Sequence, residues 1–411
     1  MGLAVQLVAS LRDGSMAAGW LTRVQQWLHE NWSPTLIESA IVDDTRRRLQ
    51  LLCRLHPAAS DLSFVASGTC EVQFTASTRA VGPGYHAHVC QLLQTLREEF
   101  AADWSPGESG GDPTGYLTTH NMAALRDAMT ASLQDDIRDL LQATGNSPRQ
   151  LNLLGAHHYD VGGDVATPLG PRDASWLERA SRDAMVAREV FPWWDAETGA
   201  SYKLGRALTE MWLNVRWRRP IRDEEAGLLD RVLALLESAY AASPELDYPW
   251  AEWKELRGYS WRDAPLPPRA EAGGEPTIGY RRRPVRVRLE HGWTIQVEGA
   301  FAERWEDDNT FEAWDGRRTV WVGVDRDRTK SAEELFAAFP LTAAGQRLEV
   351  PSPHLCRAVA YDVREPDAVR KIEAQVAVTG HIAHATIVID SRDSEPWALQ
   401  TLASLCREND D

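Results

Sequence analysis

The 411-residue chain is poor in lysine, with four (Lys203, Lys254, Lys330 and Lys371) against forty arginines. That bias is one a GC-rich bacterial genome imposes. Its five cysteines stand scattered at positions 53, 70, 90, 356 and 406. An odd, unpatterned set makes neither a disulfide framework nor a zinc ligand set, and it fits a reducing compartment. No stretch approaches the roughly 18 consecutive apolar residues of a membrane-spanning helix. The opening MGLAVQLVASLRDG has no basic stretch, and its apolar run breaks at Arg12 and Asp13, so no secretory signal is expected. Gln6 occupies the position where a myristoylation site has Ser or Thr. A cytoplasmic location follows as the expectation.

Positive charge is also short. Sixty acidic residues against 44 basic ones leave a net charge of −16, which speaks against a nucleic acid or an anionic membrane as partner. There is no phosphate-binding loop of the Walker type, no GxSxG elbow, no HExxH pair and no dinucleotide GxGxxG. Those absences lower the expectation of an enzyme without excluding an unusual one. What is present is the composition of a globular protein, 43% hydrophobic and 25% charged, which argues against disorder. The length favours two or three domains.

Periodicity predicts an α+β fold. Residues 16–32 place Trp20, Val24, Trp27 and Leu28 at helical spacing, and Leu49, Leu51, Cys53 and Leu55 alternate with polar residues as in a half-buried strand. Asp61–Ala66 and Cys70–Ala76, joined by Ser67-Gly68-Thr69, read as a hairpin, and 85–100 as a helix. Residues 102–115 are rich in breakers and read as a connection. Helices are predicted over 119–143, 175–190, 200–217 and 223–242. A Pro- and Gly-rich stretch, 262–284, then reads as a linker, and the pattern changes to strands from Val285 onward. Helices fit 331–339, with Ser331 and Glu334 as a capping box, and 394–407. The expected organisation is an α+β unit over 1–101, a mostly helical region over 116–261 packed with it as one domain, the linker, and an α+β domain over 285–411.

The features GWTIQVEGAF, WDGRRTVWVGV followed by SAEELFAAF, and WALQTLASL, in that order over 285–408, resemble the PsbP-like α+β fold. They also resemble small bacterial chaperones of secreted toxins, the EagR type. The resemblance implies an antiparallel sheet with packed helices and a protein partner; it assigns no residue a role and does not touch residues 1–280.

Five features are candidates for chemistry. His157, His158, Asp160 and Asp164 lie in a Gly-rich stretch and could hold zinc or manganese, or form a polar surface loop with turn hydrogen bonds. His86, His88 and Cys90 could share a face only in a strand; in the predicted helix, His86 and Cys90 meet at i, i+4 as a base beside a thiol, or are a helix-flank His and a buried Cys. The preceding Arg79–Gly84 turn could receive an anion or simply turn the chain. His381 and His384 could be ligands at i, i+3 on a helix, but they fall between two predicted strands, where a hairpin loop is expected. The basic run Tyr280–Arg288 could dock RNA or an acidic partner, or form the solvent face of an edge strand.

Seventeen tryptophans are the largest surplus. Trp212 shares a helical stripe with Leu208 and Val215 and belongs to the core. Trp193 and Trp194, with Trp250, Trp253 and Trp261 in the acidic segment 244–261, are the candidates for a partner-binding surface. The expected function is non-enzymatic protein binding, as a chaperone, adaptor or immunity protein in a bacterial secretion or conflict system. It needs no cofactor and suits a basic toxin or effector as partner. The alternative is a metal-dependent hydrolase built on His157, His158, Asp160 and Asp164.

Overall fold

Val5, Leu7, Ala9 and Leu11 alternate with Gln6, Val8 and Ser10, and this two-residue period puts one row of side chains into the interior. The segment is β1 (Ala4–Leu11), in the middle of an antiparallel sheet. The computed structural model describes residues 3–12, 16–43, 48–107, 110–142, 157–159, 161, 164–261, 266–267, 274–306, 310–341, 345–363 and 369–408. Two compact units emerge, and neither is continuous in sequence: 1–155, 161–214 and 229–279 in one, and 156–160, 215–228 and 280–411 in the other.

In the first unit, β1 is followed by α1 (Ala17–Asn31), β2 (Glu38–Asp43), β3 (Leu49–Arg54), β4 (Leu62–Ala66), β5 (Glu71–Ser77), α2 (Pro83–Glu99) and β6 (Ala102–Pro106). The six strands form one antiparallel sheet in the order β2-β3-β4-β5-β1-β6. Trp20, Leu21, Val24 and Leu28 of α1 and Val89, Leu92, Leu93 and Leu96 of α2 bury their stripes in the same core as Phe64 and Phe74. The predicted connection at 102–115 therefore begins as an edge strand, with Ala102–Pro106 paired to Leu7–Leu11. Next come α3 (Tyr116–Thr119) and α4 (Met122–Gln142), whose Leu125, Met129, Leu133 and Ile137 recur every four residues and share a second core with Trp176, Leu177 and Phe191.

The chain then supplies β7 (His157–Tyr159) to the second unit before returning. The first unit resumes with β8 (Val165–Thr167), β9 (Gly170–Arg172), α5 (Ala174–Ala180), α6 (Ala184–Ala187) and α7 (Ala200–Leu213), and ends with α8 (Asp223–Ala242) and α9 (Trp250–Tyr259). The first residues of α8, up to Leu228, belong to the second unit.

The second unit continues with β10 (Val285–Arg288), β11 (Trp293–Val297), β12 (Ala302–Trp305), β13 (Thr310–Trp314), β14 (Arg318–Arg326), α10 (Ala332–Ala338), β15 (Gln346–Leu348), β16 (Leu355–Val363), β17 (Val369–Val378), β18 (His381–Ile389), α11 (Glu395–Ala403) and β19 (Cys406–Arg407). Seven strands make an antiparallel sheet, β12-β13-β14-β18-β17-β16-β15, and four make another, β19-β11-β10-β7. The capping box forms as predicted, Ser331 Oγ accepting from the Glu334 N–H and Glu334 from the Ser331 N–H. The fold is thus α+β with a sheet-rich C-terminal region.

The segment 215–228 is fastened to this unit by arginines. Arg216 and Arg281 both reach Glu303 Oε1, at 3.0 and 2.8 Å, and Arg222 donates to the Glu303 carbonyl at 2.9 Å. Arg218 forks onto the Glu225 carboxylate and donates its Nε–H to the Ala300 carbonyl. Trp217 sits in the left-handed region, at φ 53°, a conformation that costs a bulky residue about 1–3 kcal/mol. The Arg282 guanidinium lies over its ring, 3.7 Å from the centroid, and helps to fix it there.

Candidate functional site

Proline fits the first turn of a helix because its missing N–H has no partner there, and Pro83 opens α2 behind Gly82, whose φ of 114° only glycine adopts readily. The amides of this turn are occupied. Gly84 N–H donates to the Trp193 carbonyl at 3.0 Å and Gly82 N–H to Thr78. The Arg79–Gly84 turn is therefore filled by the 191–195 segment rather than by an anion. A Cβ on Gly84 would stand 2.1 Å from the Asp195 carbonyl oxygen, so this close approach requires glycine.

One turn further, the helix brings His86 and Cys90 together at i, i+4 and the loop after β6 adds Asp112. One ligand atom from each lies within 4.8 Å of the others, and all three side chains are buried. His86 Nε2 is 3.1 Å from Asp112 Oδ1 and 3.1 Å from Thr114 Oγ1, while its Nδ1 is 2.9 Å from Thr78 Oγ1. Asp112 also accepts the Thr114 N–H at 2.9 Å, the Thr114 hydroxyl at 2.7 Å and the Leu117 N–H at 2.7 Å. Burial alone would raise the Asp112 carboxyl, but hydrogen bonds from His86, Leu117 and Thr114 outweigh it and hold the group well below the ordinary carboxylate range. Burial, reinforced by the Asp112 charge, pushes the Cys90 thiol far up.

This is not a Cys-His-Asp triad. There the imidazole must bridge nucleophile and carboxylate through different nitrogens, whereas here Nε2 meets Asp112 and Nδ1 meets Thr78. A thiol held in its neutral form is also no nucleophile. Imidazole, thiol and carboxylate gathered at one buried point are instead a soft-to-borderline ligand set, the kind that suits zinc.

His88 takes no part, because residues two apart on a helix diverge by about 200°. Its Nε2 is 3.1 Å from Thr35 Oγ1, its ring packs 4.3 Å from Trp32 and 4.9 Å from Trp193, and burial pulls its pKa down to about 4. Asp112 was missed from the sequence. Asp-Pro-Thr-Gly announces a turn, but nothing local says that the turn lands on α2.

The tryptophans divide. Trp193 and Trp253 are core residues, 1% and 2% exposed, and neither offers a surface as the sequence suggested. Trp193 packs against Tyr202, Tyr85 and His88; Trp253 stacks on Trp250 at 5.6 Å and 7° and meets Tyr240 at the end of α8. Trp250 and Trp194 are half-buried, the latter with Arg126 and Arg188 over its ring at 5.6 and 5.5 Å. Trp261, just past α9, is 87% exposed.

His157 and His158 lie in β7, paired with Val287 and Arg286, at register positions that alternate between faces of the strand. Asp160 lies outside the described residues.

The basic run is no edge strand. β10 has a neighbour on each side, β11 and β7, which leaves Arg286 and Arg288 on an exposed face. Arg281 is buried against Glu303 and Arg282 is stacked on Trp217. His381 to His384 open strand β18 rather than a loop, because the turn closes one residue earlier, at Gly380 with φ 77°.

No protein family and no curated protein matches the chain. Among solved structures, a protein of Bacteroides thetaiotaomicron is similar at 6% identity and a TM-score of 0.25, over 29% of this chain and 46% of that one. The chain thus spans under half of that protein's length.

Proposed function

We propose that the protein works by binding another protein, as a cytoplasmic chaperone, adaptor or immunity protein of a bacterial secretion or conflict system. The observation that carries this reading is Trp261, a large apolar ring 87% exposed at the end of the aromatic helix α9. Exposed tryptophans of this kind are the anchors that dominate interface energetics, because one ring buries much area with few rotors. The net charge of −16 suits a basic toxin or effector as the partner and would steer its approach. The resemblance of residues 285–408 to toxin chaperones points the same way. No helix among the described residues is long and apolar enough to cross a membrane.

The test is titration calorimetry against a basic toxin or effector encoded beside the gene, with wild type and Trp261→Ala. The expected result is binding that weakens at least about 30-fold in the variant, about 2 kcal/mol, with an unchanged melting temperature. It should also weaken as salt rises. Equal binding by the variant would remove Trp261 from the interface, and no binding by wild type would sink the reading.

A further inference from the structure

We infer that His86, Cys90 and Asp112 form a closed structural zinc site that pins the loop between β6 and α3 to helix α2, with Thr114 Oγ1 as the fourth donor. The four donor atoms come from two places in the chain, α2 and residues 112–114. Nothing but the fold brings them together. His86 Nε2 lies 3.1 Å from both Asp112 Oδ1 and Thr114 Oγ1, close to the spacing of neighbouring ligands around a tetrahedral zinc with bonds of about 2.0–2.3 Å. Cys90 Sγ is within 4.8 Å of the His86 and Asp112 ligand atoms, so modest rotamer adjustment closes the set.

Charge and outer-sphere hydrogen bonds agree with this assignment. A divalent cation bound by one thiolate and one carboxylate is neutral overall, as a buried site demands. The ligand histidine of a metal site usually gives its other ring N–H to a fixed acceptor, which sets the tautomer. Thr78 Oγ1, 2.9 Å from His86 Nδ1, is that acceptor. The carboxylate is held by the Thr114 and Leu117 amides, which orient it without neutralising it. On binding, the Cys90 thiol proton leaves to solvent, and the ring proton of His86 resides on Nδ1, facing Thr78. With His86 and Cys90 at 0% and 1% exposure and the Asp112 side chain at 4%, no coordination position opens to a substrate, so the ion is structural and not catalytic.

The experiment uses the full-length chain, freed of metal by a chelator and titrated with Co²⁺ and then Zn²⁺. One equivalent of Co²⁺ should produce a thiolate-to-cobalt charge-transfer band that zinc displaces, and zinc should raise the melting temperature. Cys90→Ser should abolish the band, whereas Cys70→Ser and the double variant His157→Ala/His158→Ala should keep it. Thr78→Val, which leaves every ligand in place, should weaken Co²⁺ binding about 10–100-fold. This variant keeps the test decisive if Cys90→Ser fails to fold. The assignment is overturned by a wild-type chain with no stoichiometric band, by a band that survives in Cys90→Ser, by loss of the band in either control variant, or by unchanged affinity in Thr78→Val.

Discussion

His56 shows what one buried residue does to this protein's response to acid. Its Nδ1 accepts the Ala58 N–H at 3.3 Å, so the neutral ring carries its proton on Nε2, which is buried near Tyr85 and Trp193 with no hydrogen-bond partner among the described residues. Burial, and then the nearby Arg206 charge, pull its pKa well below the ordinary value of 6.5. In the unfolded chain the same imidazole titrates near 6.5. Below that pH the unfolded state binds a proton that the folded state refuses. The stability contributed by keeping His56 neutral is therefore complete above pH 6.5 and lost as pH falls beneath it. The loss is at most about 1.4 kcal/mol per pH unit from this group. Urea denaturation at pH 7.5, 6.0 and 5.0 should show stability falling with acid, and His56→Gln should flatten that slope by up to one proton. An unchanged slope would mean that other groups set it. Nothing in the sequence singles out His56; its ring packs near Trp193 and feels the charge of Arg206, 137 and 150 residues away in the chain. The arginines teach the same lesson. Read from composition, their excess is genomic, but in the second unit guanidiniums fork onto Glu225, lie over Trp217 and share the Glu303 carboxylate, and lysine, a point charge, lacks the planar fork for the first of these.

Elements whose patterns are local were legible; elements defined by distant partners were not. The stripes of α1, α2, α4 and α8, the β4–β5 hairpin and the capped α10 all follow from spacing within a dozen residues. Strand β6 was lost among breakers because only its ladder to β1 makes it a strand. Close helix packing was equally hidden. Gly205 lies mid-helix in α7, where glycine is ordinarily a defect worth about 1 kcal/mol. In the structure a Cβ there would stand 2.0 Å from the Pro192 carbonyl oxygen, so the helix rests directly on the segment that carries Trp193. Gly205→Ala should therefore destabilise by about 1–3 kcal/mol despite its better helix propensity. Gly199→Ala, at the N-cap of the same helix with open space around it, should cost at most about 1 kcal/mol. Chemical denaturation of the two variants decides the point, and equal stabilities would show that α7 can retreat from Pro192.

At the scale of the whole molecule, the change of pattern at Val285 suggested two domains in tandem, whereas the second compact unit takes in 156–160 and 215–228 besides 280–411. What the linear reading could not supply is the pair of excursions that complete the second unit. Residues 157–159 are too short to announce a strand, yet Val285, Arg286 and Val287 pair with Tyr159, His158 and His157, and the Tyr159 ring stacks on Tyr280 at 4.5 Å. Residues 215–228 read as the end of one predicted helix and the start of the next, yet they bring Arg216, Trp217, Arg218 and Arg222 to Glu303, Arg282, Ala300 and the Glu303 carbonyl. A fragment of residues 280–411 would lose both. Strand β10 would become an open edge with Val285 and Val287 uncovered on that side, and Glu303 would keep Arg281 but lose Arg216. Open edges and half-paired buried charges are routes to aggregation and instability. The isolated fragment should therefore be insoluble, or soluble without a cooperative thermal transition. A full-length chain nicked by protease within the Pro- and Gly-rich stretch 262–279 should behave differently, because β7 and the arginine segment remain in the N-terminal piece and still complete the sheet. Its two pieces should elute together in gel filtration and part only in denaturant, at the concentration where the unit itself unfolds. Separation of the nicked pieces under native conditions, or a 280–411 fragment that melts cooperatively on its own, would show that residues 280–411 need neither β7 nor the arginine segment.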